Sequence, residues 1–241
     1  MNRPYVICHM LTSLDGKIDG DYMTAPENSP VRAEYGRLRG YFNCSATFYG
    51  TVTLLGGFAD GKVTELPESG TVYPREDYAA KSDVDNYITA ADPQGILGWP
   101  SKYIEKKGRP KAHVIEVLTE QVSDAYLTYL RGLDISYIFA GQEYLDCRLA
   151  LKKLKQLFSI ERLMLAGGGL INASFLQEDL IDQLSLVISP LADGNMDSAS
   201  IFDRGEFLPA RPPAAFSLRE MMQLDGDGLW LRYTRKGMKE L

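Results

Sequence analysis

The sequence predicts an α/β protein, a mixed sheet flanked by helices and closed by an antiparallel hairpin. Three observations lead there. Short apolar runs alternate with helical patterns through the first three-quarters of the 241 residues. Most of the runs end in turns bearing Gly or Pro. The last two flank Asp225-Gly226-Asp227-Gly228, a hairpin sequence.

In chain order, Tyr5–Met10 reads as a strand, followed by the turn-rich loop Leu14–Gly20. Pro30–Gly40 has a helical pattern, with Tyr35 and Leu38 on one face. Ala46–Tyr49 is a short strand ending at Gly50-Thr51. Gly56–Arg75 reads as a long loop, functional or mobile. Asn86–Ala91 is a strand stopped by Asp92-Pro93-Gln94-Gly95. Ala112–Leu118 and Ile135–Ala140 are strands around a helix at Asp124–Arg131. Cys147–Phe158 is amphipathic, its leucines interleaved with Arg148, Lys152, Lys153 and Lys155. Arg162–Ala166 is a strand, Gly167–Gly169 a loop and Ile171–Glu178 a helix. Leu184–Ser189, Phe216–Gln223 and Leu229–Thr234 complete the strands. With no repeat or low-complexity linker, residues 1–241 read as one domain.

Composition narrows the function. A net charge of −6 gives no basic face for nucleic acid or anionic membrane. No apolar run approaches the roughly 20 residues that span a bilayer. The opening Met1–Tyr5 lacks a secretory pattern, and three scattered cysteines fit a reducing cytoplasm. With two histidines and no C-x-x-C, no metal site is expected.

The strongest chemical feature is Arg162–Ala166 running into Gly167-Gly168-Gly169 and a helix. A loop without Cβ atoms at a helix N-terminus suits a pyrophosphate. The alternative is a tight turn whose glycines only permit close packing. Thr12–Lys17 lies at the end of the first strand, a usual ligand position, or is a solvated turn. Thr51 suits a phosphate or ribose hydroxyl, or a helix N-cap. His9 and His113 are by default satisfied core residues. Arg32 suits a bidentate phosphate clamp or a solvated helix face. No Ser-His-Asp order, nucleophile elbow or Walker loop occurs, which fits a reaction carried by a cofactor.

Several blocks taken together resemble one family. They are Arg3-Pro-Tyr-Val-Ile with Ser13-Leu-Asp-Gly-Lys17, then Leu38-Arg39 with Ala46-Thr-Phe-Tyr-Gly-Thr-Val52. Ala166-Gly-Gly-Gly, Phe175-Leu, Leu180-Ile-Asp182, Ile188-Ser-Pro190 and Gly194 follow in order. This pattern resembles the riboflavin-biosynthesis reductase family, the RibD C-terminal domain of bifunctional deaminase/reductases. The resemblance implies a dihydrofolate-reductase-like three-layer fold with a mostly parallel sheet, here as a free-standing reductase domain. It implies reduction of 5-amino-6-(5-phosphoribosylamino)uracil with NADPH, NADH not being excluded. The partner is then a small-molecule substrate, with neither nucleic acid nor membrane, and the chain a homodimer. Gly50, Thr51, Val52, Asp92, Gly167, Gly168, Gly169, Leu170 and Ile171 become the cofactor residues. Ser13 and Arg32 become substrate residues, and His9 and Asp15 catalytic ones, with His9 the candidate proton donor. Lys102 is a candidate partner for the 2′-phosphate.

The chain also departs from the family pattern. His9 replaces a lysine, Ala166 an acid, and Thr53-Leu-Leu-Gly-Gly57 an Asp-Asp-Pro segment; Pro93 follows the third strand's acid instead of a serine. These changes keep two alternatives in view. One is a same-fold NAD(P)H reductase for another pterin-like or carbonyl substrate; the other is a non-catalytic nucleotide-binding module.

Overall fold

A computed structural model of the chain describes residues 2–68 and 70–237. Its strands are β1 (Tyr5–Thr12), β2 (Ala46–Gly50), β3 (Tyr87–Ala91), β4 (Tyr103–Ile104) and β5 (Ala112–Leu118). They continue with β6 (Ser136–Phe139), β7 (Arg162–Leu165), β8 (Gln183–Ile188), β9 (Phe216–Gln223) and β10 (Leu229–Arg235). The helices are α1 (Ser29–Tyr41), α2 (Thr51–Leu55), α3 (Asp124–Gly132), α4 (Cys147–Phe158) and α5 (Gly169–Gln177). The α/β class, the mixed sheet and the closing hairpin follow the sequence reading. Among the described residues no helix is long and apolar enough to cross a membrane.

Backbone contacts divide the chain into two compact units. One comprises Met1–Pro4 and Ser45–Glu161, the other Tyr5–Cys44 and Arg162–Leu241.

In the first unit β2, β3, β5 and β6 run parallel, and β4 pairs antiparallel with the start of β5. Every residue of β5 is buried, so its sequence is a continuous apolar run broken only by His113 and Glu116. α4 begins at Asp146, whose carboxylate accepts from the Leu149 N–H, and ends at left-handed Ser159.

The long connection before β3 is anchored. Tyr78 pairs with Tyr137 through both backbone groups, and the Phe139 N–H donates to Asp77. Lys153 donates to Asp77 and to the Phe139 carbonyl. Arg75 spans the Asp124 carboxylate and the Glu120 and Val122 carbonyls. The guanidinium of Arg131 lies 4.4 Å from the Tyr78 ring centroid and 4.9 Å from that of Tyr73. These ties come from residues about 50–75 positions away, which local pattern does not register.

In the second unit β7, β1 and β8 are parallel, and β10 pairs antiparallel with β8 and β9. All eight residues of β1 are buried. The Asp182 carboxylate accepts from the Val6 N–H at 2.8 Å at the start of that strand. α1 rests on the hairpin turn. A Cβ at Gly226 would meet Pro30 at 2.8 Å, and one at Gly228 would meet Val31 at 2.9 Å. Gly226 also has φ 74°, so both its conformation and its neighbour require glycine.

Two elements escaped the sequence reading. α2 is a single turn rich in β-branched residues, which have modest helix propensity. It holds because Leu54 is fully buried. β4 has two residues, too few to show a period. α5 starts at Gly169, two residues earlier than expected.

Candidate functional site

In the second unit β1 delivers Ser13–Lys17. The loop closes on itself: the Ser13 N–H donates to the Lys17 carbonyl, and the Lys17 N–H donates to Ser13 Oγ. Ser13 Oγ donates to Asp15 at 2.6 Å. Asp15 also accepts the backbone N–H groups of Asp193 and Gly194, each at 2.9 Å. These donors hold its carboxyl well below the usual range, the Ser13 hydroxyl first. Asp15 is therefore a fixed anion near neutrality that ties segment 191–194 to the loop. This argues against its use as a proton donor. Lys17 extends the tie to the carbonyls of Met196 and Ser198, and the Ile18 N–H to that of Ala199.

The same segment runs on to the glycine turn. Asp203 donates its N–H to the Gly169 carbonyl, and Asn172 Nδ2 donates to the Ile201 carbonyl at 3.0 Å. A Cβ at Gly169 would lie 2.3 Å from Asp203 Oδ2 and 2.6 Å from the Ser200 carbonyl oxygen. The third glycine is thus needed for packing. Asp203 accepts from the Ser200 N–H and hydroxyl, which holds its carboxylate beside the first turn of α5. A helix N-terminus favours such an anion, so on the Gly169 side the dipole is already matched by protein charge. The N-cap of α5 is Gly168, with no side-chain cap. Leu170 is 49% exposed in the first turn, while Ile171 is buried.

His9 lies in the middle of β1, fully buried. Its ring stacks on Tyr35 of α1 at 4.4 Å between centroids. Nδ1 is 2.9 Å from Ser185 Oγ, and Nε2 is 3.1 Å from the Tyr35 carbonyl oxygen. Burial pulls its pKa down to about 3 despite the carbonyl partner, with Arg39 adding a smaller push the same way. At neutral pH the ring is neutral with both nitrogens engaged, which argues against the proton-donor role expected of it. Arg32 is exposed in the first turn of α1. Ala166, at the position of the family's acid, is buried.

In the first unit Gly50 ends β2 and is the N-cap of α2, the place the sequence offered to Thr51. The Thr51 hydroxyl donates to the Ala91 carbonyl at 2.5 Å, so its hydrogen is spent on β3. Val52 is 79% exposed.

Asp92 is buried, and its Oδ2 accepts from the N–H groups of Ile96 and Leu97 at 2.7 and 2.9 Å. Tyr126 Oη lies 3.1 Å from the same oxygen. The carboxylate closes the turn after β3, which argues against the ribose contact expected of it. Lys102 is likewise committed, to Asp134 at 2.5 Å and to the Lys81 carbonyl. His113 is a core residue whose Nε2 meets Ser136 Oγ at 2.8 Å.

The RibD C-terminal domain family matches residues 105–228, just over half of the chain. The chain belongs to this family. Among curated relatives, the RibD-type chain is 26% identical to the 2,5-diamino-6-ribosylamino-4(3H)-pyrimidinone 5′-phosphate reductase of Methanothermobacter thermautotrophicus. That alignment covers 98% of this chain and 100% of the relative. Among solved structures, RibD of Acinetobacter baumannii is similar with a TM-score of 0.65 and 20% identity. Here 98% of this chain is covered but only 59% of that one. A pyrimidine reductase-like protein of Corynebacterium diphtheriae is similar with a TM-score of 0.68 and 17% identity, covering 99% and 94%. The two structures bear out the dihydrofolate-reductase-like fold expected of a RibD C-terminal domain.

Sequence reasoning missed Asp203, Tyr35 and Ser185. Asp203 carried one usable signal, as the acid of the Ser200–Asp203 stretch that folds back on the glycine turn. Tyr35 was marked only as part of a helix face, and Ser185 carried no signal, being 176 positions from His9.

Proposed function

We propose that the chain is an NADPH-dependent reductase of a ribosylaminopyrimidine 5′-phosphate. The observation that carries this reading is the end-to-end similarity to the archaeal reductase. When bound, NADPH would supply a hydride to C1′ of the ring-opened C=N group. The adjoining nitrogen takes a proton from water, because His9 is neutral and Asp15 is a fixed anion. Arg32 meets the substrate's phosphate and Ser13 lies near its ring. Gly50, Thr51 and Val52, and separately Gly167, Gly168, Leu170 and Ile171, are proposed cofactor contacts. Exposed Val52 and Leu170 support this by presenting apolar surface in the first turns of α2 and α5. Gly169 serves by letting the Ser200–Asp203 segment pack.

The resemblance and the relative name two ring forms. One carries oxygen at ring position 2, as in the aminouracil, and the other an amino group. The relative's printed name favours the diamino form here. Both compounds are to be mixed with the full chain and NADPH or NADH, and oxidation followed at 340 nm (the wavelength at which the reduced nicotinamide absorbs). Faster NADPH oxidation with the diamino compound is expected. The absence of binding to either dinucleotide overturns the reading.

The whole chain is proposed to act as one domain in a reducing cytoplasm, where Cys8, Cys44 and Cys147 stay free thiols. A homodimer is also proposed. β9 lies at one end of the strand order and exposes Leu218, Met221 and Met222. A monomeric mass by light scattering at micromolar concentration rules it out.

A further inference from the structure

We infer that His9 is a positioning residue which, with Tyr35, Ser185 and Trp230, fixes α1 and thereby places Arg32 against the anionic end of the substrate. This rests on the reading of Arg32 as the phosphate contact.

The hydrogen-bond chain has one consistent assignment. The Trp230 indole can only donate, and it donates to Ser185 Oγ at 2.8 Å. The Tyr35 carbonyl can only accept, so His9 Nε2 carries the ring hydrogen toward it. Nδ1 is then the acceptor, and the Ser185 hydroxyl donates to it. The Tyr35 hydroxyl returns to the His9 carbonyl at 3.3 Å. The strand residue thus holds the helix residue at its backbone, its ring face and its hydroxyl.

α1 has a second mount at its start, where Pro30 and Val31 sit against Gly226 and Gly228. Arg32 lies between the two mounts, one residue beyond Val31 and one helical turn before Tyr35. A helix held at both points cannot shift Arg32 without breaking one of them. A buried polar chain with every member satisfied rigidifies the packing around it. Lysine, with donors and no acceptor, could not take the Ser185 hydrogen as Nδ1 does.

The test is a double-mutant cycle on the full chain with NADPH. The probes are 2,5-diamino-6-ribosylamino-4(3H)-pyrimidinone 5′-phosphate and its dephosphorylated form. Arg32→Ala is expected to raise KM for the phosphorylated probe about tenfold or more, the scale of one lost charged hydrogen bond. The dephosphorylated probe should not sense it. His9→Ala should raise the same KM with little change in kcat, and the double variant should be no worse than Arg32→Ala alone. His9→Gln, which keeps a donor for the Tyr35 carbonyl, should recover most of the loss. If His9→Ala does not fold, Ser185→Ala removes the Nδ1 contact and takes its place in the cycle. Additive losses, or a loss in kcat with KM unchanged, overturn the inference. An unchanged KM in Arg32→Ala overturns the phosphate reading of Arg32 and the inference with it.

Discussion

Glu116→Gln is expected to stabilise the protein, by an amount that grows as pH rises. Glu116 sits in the middle of β5, fully buried, between Ala90 of β3 and Tyr137 of β6. Trp99 Nε1 donates to its Oε1, while Oε2 has no partner. Tyr126 Oη lies 2.8 Å from the Leu97 carbonyl oxygen, 3.1 Å from Asp92 and 3.3 Å from Glu116. One phenolic hydrogen cannot serve three acceptors, so a proton belongs on a carboxyl. Burial pushes the Glu116 pKa well above its ordinary value of 4.5, and the Asp92 charge pushes it further.

Its folded pKa is raised, so its stabilising contribution is complete below the unfolded pKa. That contribution is lost as pH climbs through the folded pKa. Between the two, stability falls by about 1.4 kcal/mol per pH unit. Glutamine keeps the shape and the acceptor for Trp99, and it does not ionise. Melting curves of the two proteins should coincide near pH 4 and diverge upward, by about 2–4 °C for each kcal/mol. A difference that does not change between pH 4 and 8 refutes the protonated assignment.

Asp92→Ala is expected to destabilise by about 2–4 kcal/mol, because it leaves one buried and one part-buried N–H group without acceptors. Those groups belong to Ile96 and Leu97, and the turn holding them has no slack. At Gly95, with φ 69°, a Cβ would meet both Tyr126 and Val122 at 2.5 Å. Asp92→Asn keeps an acceptor and should recover most of the loss, read as the denaturation midpoint in urea. It also removes the charge nearest Glu116, so the pH dependence described above should contract at its alkaline end. NADPH affinity should be the same in Asp92→Asn as in the unmutated chain, because the carboxylate holds a turn. A large drop in affinity restores the ribose contact implied by resemblance.

The resemblance rested on blocks whose chemistry is local: a strand into a glycine turn, a strand ending at Gly-Thr, and the Ser13–Lys17 loop after the first strand. Such features are set by near neighbours along the chain. The long anchored connection before β3 was illegible because Arg75, Asp77 and Tyr78 find their partners in α3, β6 and α4. The site residues divide in the same way. Ser13 and the glycine turn were marked by their immediate neighbours, and the roles of His9, Asp15, Asp92 and Lys102 were not.

By itself, then, the sequence determined the class of fold and the order of its elements and marked the turn-rich loops, because hydrophobic period and turn chemistry are properties of short stretches. Only the tertiary structure decided what the polar side chains do. His9 and Asp92 are acid–base residues on paper, and burial and committed hydrogen bonds make one a neutral brace and the other a turn clasp. The energy of a buried charge or donor depends on what closes around it, and that comes from residues far away in the chain.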